Sequence, residues 1–321
     1  MKKKLFFILI IALAWACSES KKDDNHAAET EKKVSGASID IDEAGKENPP
    51  NEQLTIKSDN NINFYFTPSV DENLVREKGQ QLLSFLENET NLKFQIHIPE
   101  SYDQMIEDFG SGKADVGIMN SLSYVKAREN FGVNAKLRVM RYGKSTYFGQ
   151  IIANSSSGIE EINDLNGKII AFTDPSSTSG YLFPQKILRQ SGVTPAKTLF
   201  AGKHDDVVKM VYTGEVDAGA TFYSEPTPEG VIRDARSRLI DQFPDVAEKV
   251  KVIAITEPIP NDPVVFSKAV PSDVSYKISL GLIQYMSTSA GKESMMALYS
   301  TEGFVRCSDS DYDILREALK E

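Results

Sequence analysis

The sequence predicts an α/β protein with two lobes and a ligand cleft between them. Segments typical of strands and helices alternate between residues 62 and 129, which indicates a mostly parallel sheet covered by helices. The same alternation returns between residues 168 and 256. The proline-rich segment 257–263 then has the character of a connection back to the first sheet. A lobe that is interrupted by another has two connecting segments, and these can act as a hinge.

The first lobe is predicted from the spacing of apolar residues. Runs of β-branched and aromatic residues indicate strands at 62–66, 92–98, 116–119, 136–142 and 147–153. Apolar residues at helical spacing indicate helices at 71–88, 102–109 and 121–129 and, after the return, at 272–287, 292–299 and 309–319. The last two of these strands are expected to lead into the second lobe.

The second lobe repeats this pattern. Strands are expected at 168–173, 197–201, 216–222 and 250–256, and helices at 178–191, 204–213 and 229–238. The first lobe is accordingly assigned to residues 54–145 and 257–321, and the second lobe to residues 146–256.

The N-terminus has the features of a bacterial lipoprotein signal peptide, which we assign to residues 1–16. Three lysines precede an apolar run at 5–16 that is shorter than the roughly 20 residues needed to span a bilayer. The small residues Ala14 and Ala16 come before Cys17, so the site resembles one at which this cysteine becomes the lipidated first residue, although Trp15 departs from the usual small or β-branched residue. The alternative is an ordinary secretory signal in which Cys17 has no role.

The segment 17–53 is expected to be a disordered, lipid-anchored tether. It is rich in charged and polar residues, and Pro49 and Pro50 lie near its end. Such a composition buries too little apolar surface to offset the loss of chain entropy on folding. Together with the signal peptide, the tether predicts that the folded part lies on the periplasmic or cell-surface face of a bacterial membrane.

Composition and missing motifs argue against several functions. The formal net charge of −10 argues against nucleic-acid binding. Once Cys17 is lipidated, Cys307 has no partner for a disulfide, and we expect it to be a passive thiol. The sequence contains no P-loop, no Gly-x-Ser-x-Gly, no His-Glu-x-x-His and no Cys-x-x-Cys. We therefore expect a binding protein without enzymatic activity, cofactor or metal.

The most informative segment is 172–184, which contains Ser177, Thr178 and Ser179. It follows a strand-like run and precedes apolar residues at helical spacing, so the hydroxyls are expected at a helix N-terminus. Such an end has unpaired backbone N–H groups and a partial positive charge. With the three hydroxyls it is suited to bind an oxyanion such as phosphate or phosphonate. The alternative is a helix cap without a ligand.

Further hydroxyl and amide side chains follow other predicted strands. Ser69 follows the first strand, Asn120 and Ser121 follow the third, and Tyr223 follows a strand of the second lobe. Ligand sites in open α/β sheets lie at the carboxyl ends of the strands. We therefore expect these side chains and the hydroxyls of residues 177–179 to line one site.

These motifs resemble those of the substrate-binding proteins of bacterial ABC importers for phosphate, phosphite and phosphonate. The resemblance covers most of residues 54–321. Its five motifs occur in order at 113–117 with 122–125, 164–168 with 174–184, 201–204, 214–218 and 259–263. The resemblance implies the two-lobed periplasmic-binding-protein fold of type II topology.

The resemblance also implies roles for individual residues. Ser177, Thr178 and Ser179 would donate hydrogen bonds to the phosphonate oxygens. His204 would approach the same oxygens from the start of a facing helix, and its protonation would then strengthen binding. The alternative for His204 is an exposed residue next to a helix cap.

Two acidic and two aromatic residues complete the expected site. By the resemblance, Glu225 and Asp262 match positions at which an acidic group faces a substrate amine; the alternative is a surface carboxylate. Several family members carry an aromatic residue next to the anion at a position that is not aromatic in this chain. Tyr147 or Tyr223 is expected to supply that ring instead.

The function implied by the resemblance is that of a receptor that closes around its ligand. The lobes would close on a phosphonate, phosphite or phosphate, and the closed, monomeric protein would deliver it to the membrane permease. An alternative with the same fold is a sensor lipoprotein that presents its ligand to a signalling kinase. Another is a receptor for a different small organic anion, and an enzyme agrees least with the motifs.

Overall fold

The computed structural model of the protein describes residues 61–320. The signal peptide 1–16, the lipidation site Cys17 and the tether 17–53 lie outside the described residues, so these assignments stay predictions. Within residues 61–320, no helix is both long enough and apolar enough to cross a membrane.

Twelve strands and ten α-helices make up most of the described part of the chain. The strands are, in chain order, β1 (Asn61–Tyr65), β2 (Lys93–His97), β3 (Val116–Ile118), β4 (Asn134–Met140), β5 (Thr146–Asn154), β6 (Ile169–Phe172), β7 (Lys197–Phe200), β8 (Ala218–Tyr223), β9 (Val250–Ile255), β10 (Ile259–Pro260), β11 (Pro263–Phe266) and β12 (Gly303–Arg306). The helices are α1 (Glu72–Leu74), α2 (Gln80–Thr90), α3 (Tyr102–Gly110), α4 (Ser121–Phe131), α5 (Phe183–Gln190), α6 (His204–Thr213), α7 (Val246–Lys249), α8 (Ser272–Tyr285), α9 (Ser289–Tyr299) and α10 (Asp313–Lys320).

Two of the helices begin with a wider turn. The π-helical segments Val75–Gly79 and Thr178–Leu182 continue directly into α2 and α5. With α5, the second segment forms one continuous helix that starts at Thr178 and ends at Gln190. This helix therefore begins in the hydroxyl-rich segment, as the sequence predicts.

One predicted helix is wrong. Residues 229–238 form an irregular segment that ends in a 3-10 helix at Ala235–Leu239. Gly230 has a left-handed φ of 86°, which no α-helix allows, and Asp234 accepts a hydrogen bond from the backbone N–H of Arg236 at 2.9 Å. The left-handed Gly230 and the helix cap at Asp234 therefore interrupt the predicted helix.

The strands of residues 61–320 form two six-stranded sheets. The order is β12-β4-β11-β3-β1-β2 in the first sheet and β10-β5-β8-β6-β7 in the second, where β9 also pairs with β5. Each sheet has three parallel strands that follow one another in the chain, β1 to β3 or β6 to β8. In the first sheet β11 pairs antiparallel with β3, and in the second sheet β5 pairs antiparallel with β8. Both β11 and β5 follow a crossing of the chain from one sheet to the other. The shared plan confirms the predicted two-lobed α/β architecture.

Apolar clusters hold each lobe together, and one further cluster joins the lobes. Phe64 belongs to the core of the first lobe and Phe172 to that of the second. The joining cluster contains Leu122 of α4, Phe183 of α5 and Ile259 of β10. Burying a side chain of this size stabilises the fold by about 1.5–3 kcal/mol. The joining cluster therefore keeps the lobes in contact around their connecting strands.

We predict that Gly180→Ala destabilises the protein, although alanine usually stabilises a helix by about 0.5–1 kcal/mol relative to glycine. A Cβ atom at residue 180 would lie 2.1 Å from Oγ1 of Thr173, which follows β6 and bonds through its backbone N–H to the carbonyl of Gly180. Overpacking of this kind costs about 1–3 kcal/mol, which urea unfolding would measure.

Gly303→Ala is the control for this prediction, because no atom lies within 4 Å of the added methyl group. Its free energy of unfolding should stay within about 0.5 kcal/mol of that of the unchanged chain. If Gly180→Ala were as stable as the unchanged chain, the close contact between the helix start and Thr173 would be contradicted.

Candidate functional site

A cavity of about 80 Å³ lies between the two sheets. Its walls include Ser69 after β1, Asn120 after β3, Ser177 after β6 and Ser224 after β8. These are carboxyl ends of strands in both lobes, which is where the sequence predicts the site. The volume exceeds the roughly 10–15 Å³ that a single water needs, so there is room for a small ligand.

Three hydroxyl groups line the cavity at the start of the helix that continues into α5. Ser177, Thr178 and Ser179 are all nearly fully buried. The Ser177 hydroxyl accepts a hydrogen bond from the backbone N–H of Gly180 at 3.0 Å. The Thr178 hydroxyl accepts one from the backbone N–H of Leu122, also at 3.0 Å. A hydroxyl that accepts a bond keeps its own proton, so both groups can still donate to a ligand.

Four helices begin at this cavity. Its lining includes Tyr102, the first residue of α3, and Asn120, the N-cap of α4. It also includes Ser177, the N-cap of the helix that continues into α5, and His204, the first residue of α6. Each helix start carries a partial positive charge worth about 0.3–2 kcal/mol to a nearby anion. Converging starts therefore make the cavity a favourable place for negative charge.

Hydrogen bonds connect the lobes beside these hydroxyls. The side-chain amide of Asn120 donates to the carbonyl of Ser176 at 3.2 Å. The Ser176 hydroxyl donates to Oδ1 of Asp103 at 2.7 Å and accepts from Nζ of Lys126 at 2.7 Å. Together with the bond from Leu122 to Thr178, these contacts tie the starts of α3 and α4 to the hydroxyl segment of the second lobe.

Asp262 lines the cavity as predicted, but its carboxylate is already paired. Arg141 donates to Oδ2 of Asp262 at 2.5 Å, and both side chains are largely buried. Arg141 also donates through Nε to the carbonyl of Tyr299 at 2.7 Å. Removing either partner would leave an uncompensated buried charge, so breaking this salt bridge would cost free energy. Oδ2 of Asp262 is therefore already bound to Arg141 before any ligand enters the cavity.

Two further arginines line the cavity from the second lobe. The guanidinium of Arg233 lies 4.2 Å from the centre of the Tyr142 ring. That of Arg238 lies 4.9 Å from the centre of the Phe222 ring, and it contacts Asp205 at 3.4 Å in a largely exposed pair. Three arginines and one aspartate thus line the cavity, so positive side-chain charge is in excess.

The hydroxyl of Tyr102 is a further neutral donor at the cavity. Burial raises the pKa of Tyr102 to about 12, so the phenol keeps its proton at neutral pH. Burial likewise raises the pKa of Tyr147, whose ring also lines the cavity. Both phenol hydroxyls can therefore donate hydrogen bonds without carrying negative charge.

His204 is buried, neutral and held by its neighbours. Its Nδ1 lies 3.3 Å from Oγ1 of Thr173, and its ring packs edge-on against Phe222 with 5.1 Å between ring centres. Burial, and secondly the charge of Arg238, lower the pKa of His204 to about 3. The structure thus rules out the alternative of an exposed His204, and without a ligand its imidazole is uncharged at neutral pH.

The geometry of this site agrees with the comparison to known proteins. A family model described as "ABC transporter, phosphonate, periplasmic substrate-binding protein" matches residues 64–312, which is most of the chain. The chain belongs to this phosphonate-binding family. The family consists of substrate-binding components of transporters rather than enzymes.

Individual relatives of this family member are distant. The phosphonates-binding periplasmic protein of Escherichia coli (strain K12) is 26% identical over 227 residues, which cover 68% of this chain and 64% of the relative. The phosphate-import protein PhnD of Mycolicibacterium smegmatis is 28% identical over 155 residues, which cover 44% of this chain and 48% of the relative. The chain thus matches between about half and two thirds of the length of these relatives.

A solved structure supports the fold. PhnD1 from Prochlorococcus marinus (MIT 9301), solved in complex with methylphosphonate, is similar with a TM-score of 0.70 and 16% sequence identity. The match covers 82% of this chain and 98% of that structure. The expected two-lobed periplasmic-binding-protein fold of type II topology is therefore confirmed for this member of the phosphonate-binding family.

Eight of the eleven predicted ligand-binding residues line the cavity in this family member. They are Ser69, Asn120, Tyr147, Ser177, Thr178, Ser179, His204 and Asp262. Ser121 does not, because its hydroxyl donates to the carbonyl of Pro260 at 2.5 Å. Ser121 therefore fixes the start of α4 against the connecting segment instead of facing a ligand.

Tyr223 and Glu225 are the other two predicted residues that the structure places outside the main cavity. Side chains alternate between the two faces along a strand, and Phe222 and Ser224 face the cavity. Tyr223 instead packs edge-on against Phe148, with 6.2 Å between ring centres. Glu225 lies in an adjoining space, where it forms a salt bridge with Lys144.

Sequence reasoning missed several residues that line the cavity. Tyr102 is the first residue of a helix that was predicted, so its position could have been recognised. Phe222 was missed because the face of β8 that meets the cavity was not identified. Arg141, Arg233 and Arg238 carry no local signal, since the tertiary fold alone brings them to the site.

We predict that His204 makes the ligand-free protein less stable in mild acid. Its pKa in the folded state, about 3, lies below the ordinary value of 6.5, so the unfolded chain binds more protons between these values. Stability from this group is complete above pH 6.5 and is lost as the pH falls, by about 2 kcal/mol between pH 7 and pH 5. Urea unfolding at both pH values would measure this loss.

His204→Gln keeps a neutral polar side chain and removes the titration. The variant should lose less stability than the unchanged chain between pH 7 and pH 5, by about 2 kcal/mol. An identical loss in the two proteins would mean that His204 is not buried in its neutral form.

Proposed function

We propose that this protein is the extracytoplasmic solute-binding component of an ABC importer and that it binds a phosphorus oxyanion: a phosphonate, phosphite or phosphate. The observation that carries the proposal is the convergence of four helix starts and three buried hydroxyls on one cavity with excess positive charge. The family description, which names phosphonate, supports the same ligand class.

The anion would bind against the hydroxyls of Ser177, Thr178 and Ser179. These groups and the nearby backbone N–H groups donate hydrogen bonds, and an ionised acceptor makes such bonds roughly twice as strong as a neutral one. The tetrahedral oxyanion presents several acceptor oxygens, which matches a site built mainly from donors. A charged ligand in turn replaces the water that these donors would otherwise need.

Binding would be coupled to closure of the lobes. Ser69, Tyr102 and Asn120 line the cavity from the first lobe, while the three hydroxyls line it from the second. A ligand that contacts both walls binds the closed form more tightly than an open one, and this difference shifts the population. The closed form would then be recognised by the membrane permease.

The N-terminal residues that precede the match to the family model would hold the receptor at its membrane. In this proposal the signal peptide directs export, Cys17 receives the lipid and the tether lets the receptor reach the permease. The protein would work as a monomer, since both walls of the cavity come from one chain.

We predict that Thr178→Ala/Ser179→Ala weakens binding of methylphosphonate, phosphite and phosphate by about a hundredfold or more. Two hydrogen bonds to a charged group contribute roughly 1.5–3 kcal/mol each, and every 1.4 kcal/mol is a factor of ten in affinity. Titration calorimetry on the unchanged and variant chains would measure the three affinities, with sulfate and acetate as reference anions.

Ser84→Ala is the matched control, because this hydroxyl lies on the exposed face of α2 and outside the cavity. It should bind all three ligands as the unchanged chain does. Equal affinity in the double variant would remove the site assignment. Tighter binding of acetate or sulfate than of every phosphorus oxyanion would remove the ligand class.

A further inference from the structure

A second, smaller cavity of about 50 Å³ adjoins the main one. The two share five lining residues, which form the junction between them: Arg141, Tyr142, Tyr147, Ser224 and Arg233. The smaller cavity, here called the annex, is also lined by Lys144 and Glu225. The two spaces therefore lie side by side at these five residues.

The direction of a bound phosphonate follows from where the donors lie. Ser177, Thr178 and Ser179 line the main cavity but not the annex. A phosphonate group held by these hydroxyls would therefore point its carbon substituent toward the junction. The chemistry of the junction and the annex then decides which substituent is preferred.

The charges around the junction are paired with one exception. Arg141 forms a salt bridge with Asp262, and Lys144 forms one with Glu225.

Arg233 is partly buried and lines both spaces, and in the described part of the chain it forms no salt bridge. The exposed Glu229 carboxylate has a lowered pKa, caused first by a hydrogen bond with Thr227 and lastly by the charge of Arg233. The Arg233 guanidinium therefore has an acidic group in its neighbourhood but no carboxylate bound to it.

The position of Arg233 is maintained by a strained residue. Tyr142, whose ring lies under the Arg233 guanidinium at 4.2 Å, has a left-handed φ of 52°. This conformation is uncommon for a bulky residue and is found where the surroundings enforce it, often at ligand sites. Tyr142 shares its turn with Gly143, whose φ of 72° completes a tight reversal between Arg141 and Lys144. The ring lies in the connection between β4 and β5, and the guanidinium comes from the irregular segment before the 3-10 helix, so two separate segments meet at the ligand space.

From these observations we infer that the preferred ligand is a phosphonate that carries a carboxylate on its carbon substituent, and that Arg233 binds this carboxylate. The inference rests on the proposed function, since it assigns the phosphonate end to the hydroxyls. A planar carboxylate matches the fork of donors on a guanidinium, and the smaller volume of the annex suits it.

The same charges disfavour an aminoalkyl substituent. The two carboxylates that line the main cavity and the annex, Asp262 and Glu225, already have a cationic partner. An ammonium group would face the unpaired Arg233 and would have to displace Arg141 or Lys144. On this inference Glu225 and Asp262 would hold Lys144 and Arg141 and would not recognise a substrate amine.

The test compares three phosphonates that differ in the charge of the substituent: phosphonoacetate, methylphosphonate and 2-aminoethylphosphonate. Calorimetric titration of the full-length chain at fixed pH and salt should rank them in that order. We expect phosphonoacetate to bind about tenfold or more tighter than 2-aminoethylphosphonate, since a hydrogen-bonded charge pair is worth at least this factor. This ranking needs no variant.

Two arginine variants then test whether Arg233 causes the preference for phosphonoacetate. Arg233→Met should weaken phosphonoacetate at least about fivefold more than it weakens methylphosphonate, because only the former has a carboxylate. Arg238→Met is the matched control, because Arg238 lines the main cavity but not the annex. It should weaken all three ligands by similar factors.

Two results would overturn the inference while leaving the proposed function intact. One is that 2-aminoethylphosphonate binds as tightly as phosphonoacetate or more tightly. The other is that Arg233→Met weakens all three phosphonates equally. If none of the three phosphonates, phosphite or phosphate binds at all, the proposed function itself fails, and the two failures are thereby distinguished.

Discussion

The site depends on one constraint: in parallel strands, every strand leads into the next helix at the same edge of the sheet. Strands β2, β3, β6 and β7 are of this kind, so the helix starts that follow them gather at one edge of each sheet. With the edges of two sheets facing one cavity, four helices begin there. Their unpaired N–H groups and partial charges favour an anion, and the hydroxyls of residues 177–179 extend the same donor set.

Local charge at the cavity is opposite in sign to the charge of the whole chain. The chain has a formal net charge of −10, yet arginines outnumber acidic residues among the residues that line the cavity. Arg141 forms a salt bridge with Asp262, so the negative charge of this carboxylate opposes an anion in the site less than that of an unpaired carboxylate would. An acidic protein can therefore bind an acidic ligand, because the interactions that matter act over a few ångströms and are poorly screened inside a buried site.

Features whose residues follow one another in the chain could be predicted from the sequence, whereas features assembled from distant segments could not. The alternation of strands and helices, and the hydroxyls of residues 177–179, were predictable because strand, turn and helix start follow one another directly in the chain. Phe222 rather than Tyr223 faces the cavity, and a shift of one residue along a strand moves a side chain to the other face. Arg141 and Arg233 lie in a tight turn and in an irregular segment, so only the complete fold places them.

The most direct measurement is a crystal structure of the protein with bound phosphonate. Oxygen atoms of the ligand should lie within about 2.5–3.2 Å of the hydroxyls of Thr178 and Ser179, with the helix starts of both lobes around the same group. A phosphonate bound only by Arg233 and Arg238, or outside the cavity between the sheets, would contradict the conclusion that helix starts and hydroxyls form the anion site.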